Sequence, residues 1–358
     1  MNALDLKFFG TRLKLARKMA GMSLQNLSDV VKNIVTKQAL NKYEQGLMNP
    51  SNEVLLDLSK ALRVKPDFFL KQTVLELGLI SFRKTSSLTK MEEDSIIENV
   101  RFYIERFTEI ETLLGLDQHF DNPLDDLLIN TKEDVEHAAN KLREKWELGY
   151  TPIPNIIEML ELKGVKVFLI DNEDTFDGLA VLTEAGGPVV AINTRNKPTE
   201  RIRFTIIHEL AHVLLRFGDH IVQDKKLVEK LCHYFSSCFL IPSKMLIKMI
   251  GGIHRNYIKI NELISIKEYF GISIRAIVHR LSELEIITEN YYQRWMIFMS
   301  KTYGQKNEPG NYMGQEAPKL FEQLINRALA EEIISLSKAA ALLNSDTYEI
   351  RKGFLNVD

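Results

Sequence analysis

Apolar residues recur at helical spacing along most of the chain, which predicts a mainly α-helical protein. Near the N-terminus, Gly21 and Gly46 end two such runs, and Ser23 and Thr36 stand at positions favoured for helix N-caps. Several short helices joined by short turns are therefore expected over residues 8–70, in a helix-turn-helix arrangement.

The hydrophobic pattern changes in the middle of the chain, where helical spacing gives way to short runs rich in β-branched residues. Gly, Asp and Pro separate these runs, as is typical of strands joined by turns. The predicted strands are VKVFLI at 165–170, GLAVLT at 178–183 and PVVAIN at 188–193. Helical spacing returns from Thr199, so the predicted fold class is mainly α with a small α+β part.

Composition narrows the class of protein. A chain of 358 residues suits two or three domains, and 45% hydrophobic and 26% charged residues are typical of soluble globular proteins. No apolar run approaches the roughly 20 residues that cross a bilayer, and the N-terminus does not read as a signal peptide. Two cysteines, Cys232 and Cys238, fit a reducing compartment. We therefore expect a cytoplasmic protein with no membrane partner.

Charge is distributed unevenly along the chain. Residues 1–72 hold 12 Lys and Arg against 6 Asp and Glu, a net charge of +6, whereas the whole chain carries −2. A basic segment on an otherwise acidic chain indicates a local polyanionic partner. The alternative is a solvated helical face.

One apolar run, FTIIHELAHVLL at 204–215, contains two histidines and a glutamate. On a helix, His208 and His212 lie one turn apart on the same face, so both can direct a ring nitrogen at one metal ion. Glu209 lies beside them, placed to take a proton from a metal-bound water. This spacing predicts a Zn²⁺ hydrolase, with manganese or iron able to replace zinc. The alternative is two core histidines and a surface glutamate.

A third ligand is expected on the next helix, VEKLCHYFSSCFLIP. Glu229 and His233 are also four residues apart, so both can face the first helix. Glu229 is our predicted third ligand, and His233 is the alternative. Cys232 and Cys238 are further candidates, although a buried apolar role suits a free cysteine.

These two stretches together resemble the ImmA/IrrE family of bacterial and phage-borne metallopeptidases. The likeness covers about residues 130–285, with FDGLAV and VVAIN similar to the strands that precede the motif. It implies a zincin-like peptidase domain with a small β-sheet, and it places Glu229 at the third-ligand position. The sequence departs from the family at His233, where Asn is common, and at Ala211, where Gly is common.

The basic segment LSDVVKNIVTKQALNKYEQGLMNPS, at 27–51, resembles the lambda-repressor-like (XRE-type) helix-turn-helix. This resemblance implies a helix in the major groove of double-stranded DNA, and a homodimer. Gln and Asn can bond adenine, while Lys suits guanine or phosphate. The alternative is a helical bundle for protein contacts. Candidate DNA-binding residues are Thr36, Lys37, Gln38, Asn41 and Lys42, with Arg12, Arg17 and Lys18 as candidates for holding the DNA backbone.

The chain is thus expected to join a DNA-binding transcriptional regulator to a zinc endopeptidase that cleaves a repressor or antitoxin-like protein. The alternative is a transcription factor whose peptidase-like domain is a non-catalytic sensor or interaction module. Four parts are predicted: a helix-turn-helix domain at 1–75, a helical linker at 76–125, a metallopeptidase domain at 126–255 and a helical C-terminal region at 256–358.

Overall fold

A computed structural model of the chain describes residues 3–32, 34–71, 77–82, 88–116, 119–171, 176–183, 187–305 and 307–355. The helices in these ranges are α1 (Ala3–Met19), α2 (Leu24–Val30), α3 (Lys37–Glu44), α4 (Asn52–Leu62), α5 (Lys90–Leu113), α6 (Lys132–Lys145), α7 (Ile156–Leu162), α8 (Thr199–Leu214), α9 (Asp219–Val222), α10 (Lys225–Leu240), α11 (Ser243–Ile250), α12 (Ile260–Phe270), α13 (Ile274–Glu283), α14 (Glu289–Tyr303), α15 (Leu320–Ala330), α16 (Leu336–Leu343) and α17 (Thr347–Leu355). The strands are β1 (Leu77–Phe82), β2 (Leu128–Ile129), β3 (Lys166–Ile170), β4 (Gly178–Thr183), β5 (Pro188–Asn193) and β6 (Arg216–Phe217).

The chain folds into two compact units. The first contains Met1–Leu77, Lys84–Gln118 and Lys319–Asp358, and the second contains Gly78–Arg83 and His119–Pro318. The predicted boundary between residues 75 and 76 falls outside the described residues. The four-part division stays a prediction. Within the described ranges, no helix has both the length and the apolar content needed to span a membrane.

Side-chain caps define the short helices of the first unit. Ser23 and Asn26 form a reciprocal capping box at the start of α2. The Thr36 hydroxyl accepts a hydrogen bond from the backbone N–H of Ala39, and Ser51 caps α4 in the same way. Each cap satisfies a backbone donor that the first helical turn leaves unpaired. The predicted starts of α2 and α3 are therefore confirmed.

Helix α5 belongs to the same compact unit as α1–α4. The Arg12 guanidinium donates a 2.7 Å hydrogen bond to the Glu105 carboxylate of α5. The Phe68 and Phe102 rings meet edge to face, with 5.2 Å between their centroids. Helices α15 and α16 also belong to this unit, and α15 packs against α5. The helix-turn-helix segment therefore shares its unit with the C-terminal helices.

The second unit is built on a four-stranded sheet with the order β1-β4-β5-β3. Strand β5 runs parallel to β3 and antiparallel to β4, and all its residues are buried. Helix α8 packs against β4 and β5 on one side and against α10 on another. The three predicted strands and the mainly α fold class with a small sheet are confirmed.

Candidate functional site

The His-Glu-x-x-His motif lies in the buried middle of helix α8. The helix begins after Pro198, a residue that tolerates a helix start because it needs no intrahelical N–H bond. Ile206, Ile207 and Leu210 are fully buried and hold the helix against the sheet. This packing also buries His208 and Glu209 completely, while His212 keeps a partly exposed edge. Polar groups in such a position need polar partners.

Helix α10 brings a second set of polar side chains to the motif. Its start is set by Asp224, whose carboxylate accepts hydrogen bonds from two backbone N–H groups of the first turn. The ring of Phe204 in α8 stacks on His233, whereas His212, two turns later, meets Cys232 and Glu229. The later residue of α8 contacts the earlier residue of α10, so the two helices are antiparallel.

Three donor groups converge between these helices. The Nε2 atoms of His208 and His212 lie 3.1 Å apart. The Glu229 carboxylate reaches both imidazoles, with Oε2 at 3.3 Å from Nε2 of His208 and Oε1 at 3.4 Å from Nε2 of His212. The structure thus brings together the three residues that the sequence predicts as metal ligands.

This triangle has the size and chemistry of a zinc site. A tetrahedral Zn²⁺ ion with bonds of about 2.0–2.1 Å holds neighbouring ligand atoms about 3.3 Å apart. The separation of the two imidazole nitrogens and the distance from each to its nearer Glu229 oxygen are close to that value. Two imidazoles and one carboxylate also form a donor set found in catalytic zinc sites. The residues present therefore fit the metal.

His233 is close enough to compete for the third position. One ligand atom each of His208, Glu229 and His233 lies within 4.8 Å of the others. The centroids of the His208 and His233 rings are 4.3 Å apart, and His233 also stacks on Phe204. Both candidates for the third ligand therefore lie at the site, and the choice of Glu229 stays a prediction.

The charge state of Glu229 suits a ligand. Hydrogen bonds from the His208 and His212 imidazoles hold the pKa of the Glu229 carboxyl well below its usual range, and burial opposes this shift only in part. The group is therefore a carboxylate at neutral pH, which is the form that binds a metal ion.

The two cysteines do not take part in the donor triangle. Sγ of Cys232 is 3.6 Å from Nδ1 of His212, the ring nitrogen on the far side from the donor triangle. A polar partner at this nitrogen orients an imidazole ligand and sets its tautomer. Burial raises the pKa of the Cys238 thiol, which lies near Tyr234, Glu136 and Arg280. Neither position favours cysteine as the third ligand.

Strand β4 approaches Glu209 at a glycine. A Cβ atom on Gly178 would lie 2.9 Å from Cγ of Glu209 and 3.2 Å from Cγ2 of Thr205. Real Cβ atoms do not approach other carbons this closely, so a larger residue would displace the Glu209 side chain. The spacing of residues in the sequence does not identify Gly178 as part of the site. The one indication in the sequence is that Gly178 belongs to FDGLAV, a stretch that resembles the family's strands before the motif.

The predicted DNA-binding residues lie on one helix of the first unit. Residues Thr36, Lys37, Gln38, Asn41 and Lys42 are all exposed in and before α3, whereas Leu40 and Tyr43 face the core. Apolar residues thus anchor one face of α3, and the other face is open to a partner.

The basic residues Arg12, Arg17 and Lys18 of α1 each pair with a carboxylate of the first unit. Arg12 is 1% exposed and pairs with Glu105. Arg17 donates two hydrogen bonds to the Glu44 carboxylate, and Lys18 pairs with Asp94 at 3.0 Å. The burial of Arg12 corrects the expectation that it contacts phosphates, whereas that role of Arg17 and Lys18 stays a prediction.

Two family models match this chain. Residues 160–282, which include the candidate metal centre, match the peptidase M78 model, described as an IrrE N-terminal-like domain. Residues 13–69 match a helix-turn-helix model. The chain therefore combines a helix-turn-helix segment with a segment of a metallopeptidase family, and both resemblances seen in the sequence are confirmed.

One curated protein is similar to a shorter stretch. It is the SPbeta prophage-derived uncharacterized HTH-type transcriptional regulator YonR of Bacillus subtilis (strain 168), with 39% identity over 71 residues. The match covers 20% of this chain and 64% of the relative, so less than two thirds of the relative is spanned.

Proposed function

We propose that this chain is a DNA-binding transcriptional regulator with a zinc-dependent endopeptidase activity. The observation that carries the peptidase part is the donor triangle of His208, His212 and Glu229, with separations of 3.1–3.4 Å, together with the buried Glu209 that follows His208 in α8. The match of residues 160–282 to the peptidase M78 model supports the same part of the proposal. The proposed substrate is a repressor or antitoxin-like protein, whose cleavage relieves its control of transcription.

In this proposal His208, His212 and Glu229 hold the metal, and Glu209 is the general base. A zinc ion held by these residues would supply Lewis-acid chemistry, which acidifies the attacking water and polarises the scissile carbonyl. Glu209 takes the proton of the attacking water on its carboxylate and then gives it to the leaving amine. The glycine at 178 leaves room for this side chain, and burial keeps bulk water from competing for the proton.

The regulatory part rests on helix α3. Its exposed polar side chains match the chemistry that reads base edges in the major groove, and the helix-turn-helix family segment covers them. We propose that the protein binds double-stranded DNA as a homodimer, since helix-turn-helix proteins commonly pair over two half-sites.

A cleavage assay tests the peptidase proposal directly. The purified zinc-loaded chain is incubated with repressor- and antitoxin-like proteins encoded beside its gene, and products are identified by mass spectrometry. We expect one of these proteins to be cut at a defined bond. If all remain intact, while the chain is folded and holds zinc, the non-catalytic sensor becomes the better account.

The ligand assignment predicts different effects for two neighbouring changes. Glu229→Gln replaces a carboxylate with a poorer, neutral ligand, so zinc affinity should fall by more than the roughly 10–100-fold typical of losing an outer-shell partner. His233→Asn should have a mild effect. Affinities are measured by competition with a chromogenic chelator, and the double variant His208→Ala/His212→Ala serves as the zinc-free reference. The opposite ranking of the two single variants would make His233 the third ligand.

Base reading and phosphate contact by α3 should be separable. Gln38→Ala should relax preference at one base pair by about 1–3 kcal/mol. Lys42→Ala should weaken binding to all sequences alike and reduce the slope of log affinity against log salt by about 1. The full-length chain is tested on duplexes selected from a randomised pool. The exposed Lys301, in the other unit, provides the control Lys301→Ala. Unchanged DNA binding in both α3 variants would favour a protein-contact role.

A further inference from the structure

A cavity of about 650 Å³ lies beside the candidate metal centre in the second unit. Its walls come from the start of α6 and from α8, α9, α10 and α13. This volume falls in the range of about 300–1,000 Å³ that is usual for ligand-binding sites. The apolar lining residues are Phe204, Ile221, Leu227, Leu231, Tyr234 and Ala276.

The cavity and the donor triangle share a wall. Phe204 and His233 both line the cavity, and their rings stack with 5.7 Å between centroids. The centroid of the His233 ring also lies 4.3 Å from that of His208. The rings of Phe204 and His233 are only partly buried, so the cavity begins one side chain away from the place where a scissile bond would lie.

Charged side chains also line the cavity, namely Lys132, Lys230 and Glu283. The Glu283 carboxylate lies 3.4 Å from Nζ of Lys132 and 3.4 Å from Nδ1 of His279. The exposed Lys230 adds a cation on α10, one turn from the shared wall. An apolar side chain with an acidic neighbour would complement this arrangement.

We propose that this cavity receives a bulky apolar side chain of the protein substrate, in the Leu, Met or Phe class, next to the scissile bond. The inference rests on the proposed peptidase function, because it assigns the substrate preference of the same centre. In this proposal a peptide lies across the donor triangle, and the side chain next to its scissile bond is directed past His233. Burial of an apolar group in this lining is favourable, whereas a small or polar residue leaves the cavity poorly filled.

Peptide binding and peptide cleavage are measured separately with one probe, a synthetic library of random decapeptides. Binding uses the immobilised full-length Glu209→Gln variant with zinc, and retained peptides are sequenced by mass spectrometry. Cleavage uses the zinc-loaded chain that retains Glu209. In each background, Ala276→Trp fills the cavity, and Ala276→Leu serves if the larger side chain prevents folding. Leu162→Trp is the matched control, because Leu162 is 77% exposed in the same unit and does not line the cavity.

We expect bulky apolar residues to be enriched among retained peptides and at one fixed position beside the cleaved bond. Filling the cavity should lower this enrichment at least about 10-fold, as expected for a pocket that selects by size, and Leu162→Trp should not. The proposal is overturned if no peptide is retained, or if the enrichment is absent or survives Ala276→Trp. Retention of apolar peptides without any cleavage supports the cavity and contradicts the peptidase. Cleavage without any preference for apolar residues supports the peptidase function and contradicts the proposed role of the cavity.

Discussion

Replacement of Glu209 by glutamine is expected to slow proteolysis by about 10²–10⁴-fold, the usual contribution of a positioned general base. The amide has almost the same size and shape as the carboxylate. It therefore fits in the same narrow space beside Gly178. It cannot accept the proton of the attacking water. Because residue 209 is not one of the three proposed ligands, zinc content should remain that of the unsubstituted chain.

The measurement is the initial rate of cleavage of the identified protein substrate, with zinc content determined on the same sample. DNA binding serves as an internal control, because α3 belongs to the other unit and should be unaffected. Loss of zinc together with activity would contradict the role of Glu209 as a base and make it a ligand or a structural residue. Full activity without Glu209 would exclude this residue from the chemistry altogether.

Local features of the sequence predicted the helical unit and the strands well. Ser23 and Thr36 cap the helices whose starts they mark, because capping is an interaction between residues three positions apart. The three predicted strands are likewise set by runs of β-branched residues bounded by turns. The i, i+4 spacing also identified the residues that converge at the donor triangle, because helical geometry fixes which side chains share a face.

Contacts between residues distant in sequence could not be predicted in this way. Spacing alone does not indicate that Arg12 is buried in an ion pair with Glu105 of α5. It also does not indicate that the residue facing Glu209 is Gly178, because that approach depends on how β4 packs under α8. The third ligand is a similar case, since Glu229 and His233 share one helix face and both reach the site.

The largest expected effect on stability comes from Arg203, which anchors the first half of α8. Its side chain is 1% exposed and donates hydrogen bonds to the carbonyl oxygens of Ile153, at 2.8 Å, and Gly271, at 3.1 Å. It also pairs with the Glu316 carboxylate, whose side chain is 1% exposed. Glu316 in turn accepts hydrogen bonds from the first backbone N–H groups of α7. One ion pair therefore joins three separate parts of the second unit.

Arg203→Ala should lower the free energy of unfolding of this unit by about 3–5 kcal/mol, because it leaves the Glu316 carboxylate buried without its cation. Urea unfolding followed by tryptophan fluorescence reports on the correct unit, since both tryptophans of the chain, Trp146 and Trp295, lie within it. Arg201→Ala is the matched control on the same helix. Arg201 is 51% exposed in its pair with Asp177, and loss of such a pair costs about 0–1 kcal/mol.

A second substitution separates the ion pair from simple loss of packing. Glu316→Gln removes the negative charge and keeps an oxygen that can accept the backbone N–H bonds of α7. If the unpaired carboxylate causes most of the loss, Arg203→Ala/Glu316→Gln should be clearly more stable than the sum of the two single changes predicts. Additive effects would instead show that Arg203 acts through its hydrogen bonds to the backbone carbonyls. In either case α8 would be held less firmly five residues before His208, so zinc affinity should fall with stability in Arg203→Ala and remain unchanged in Arg201→Ala.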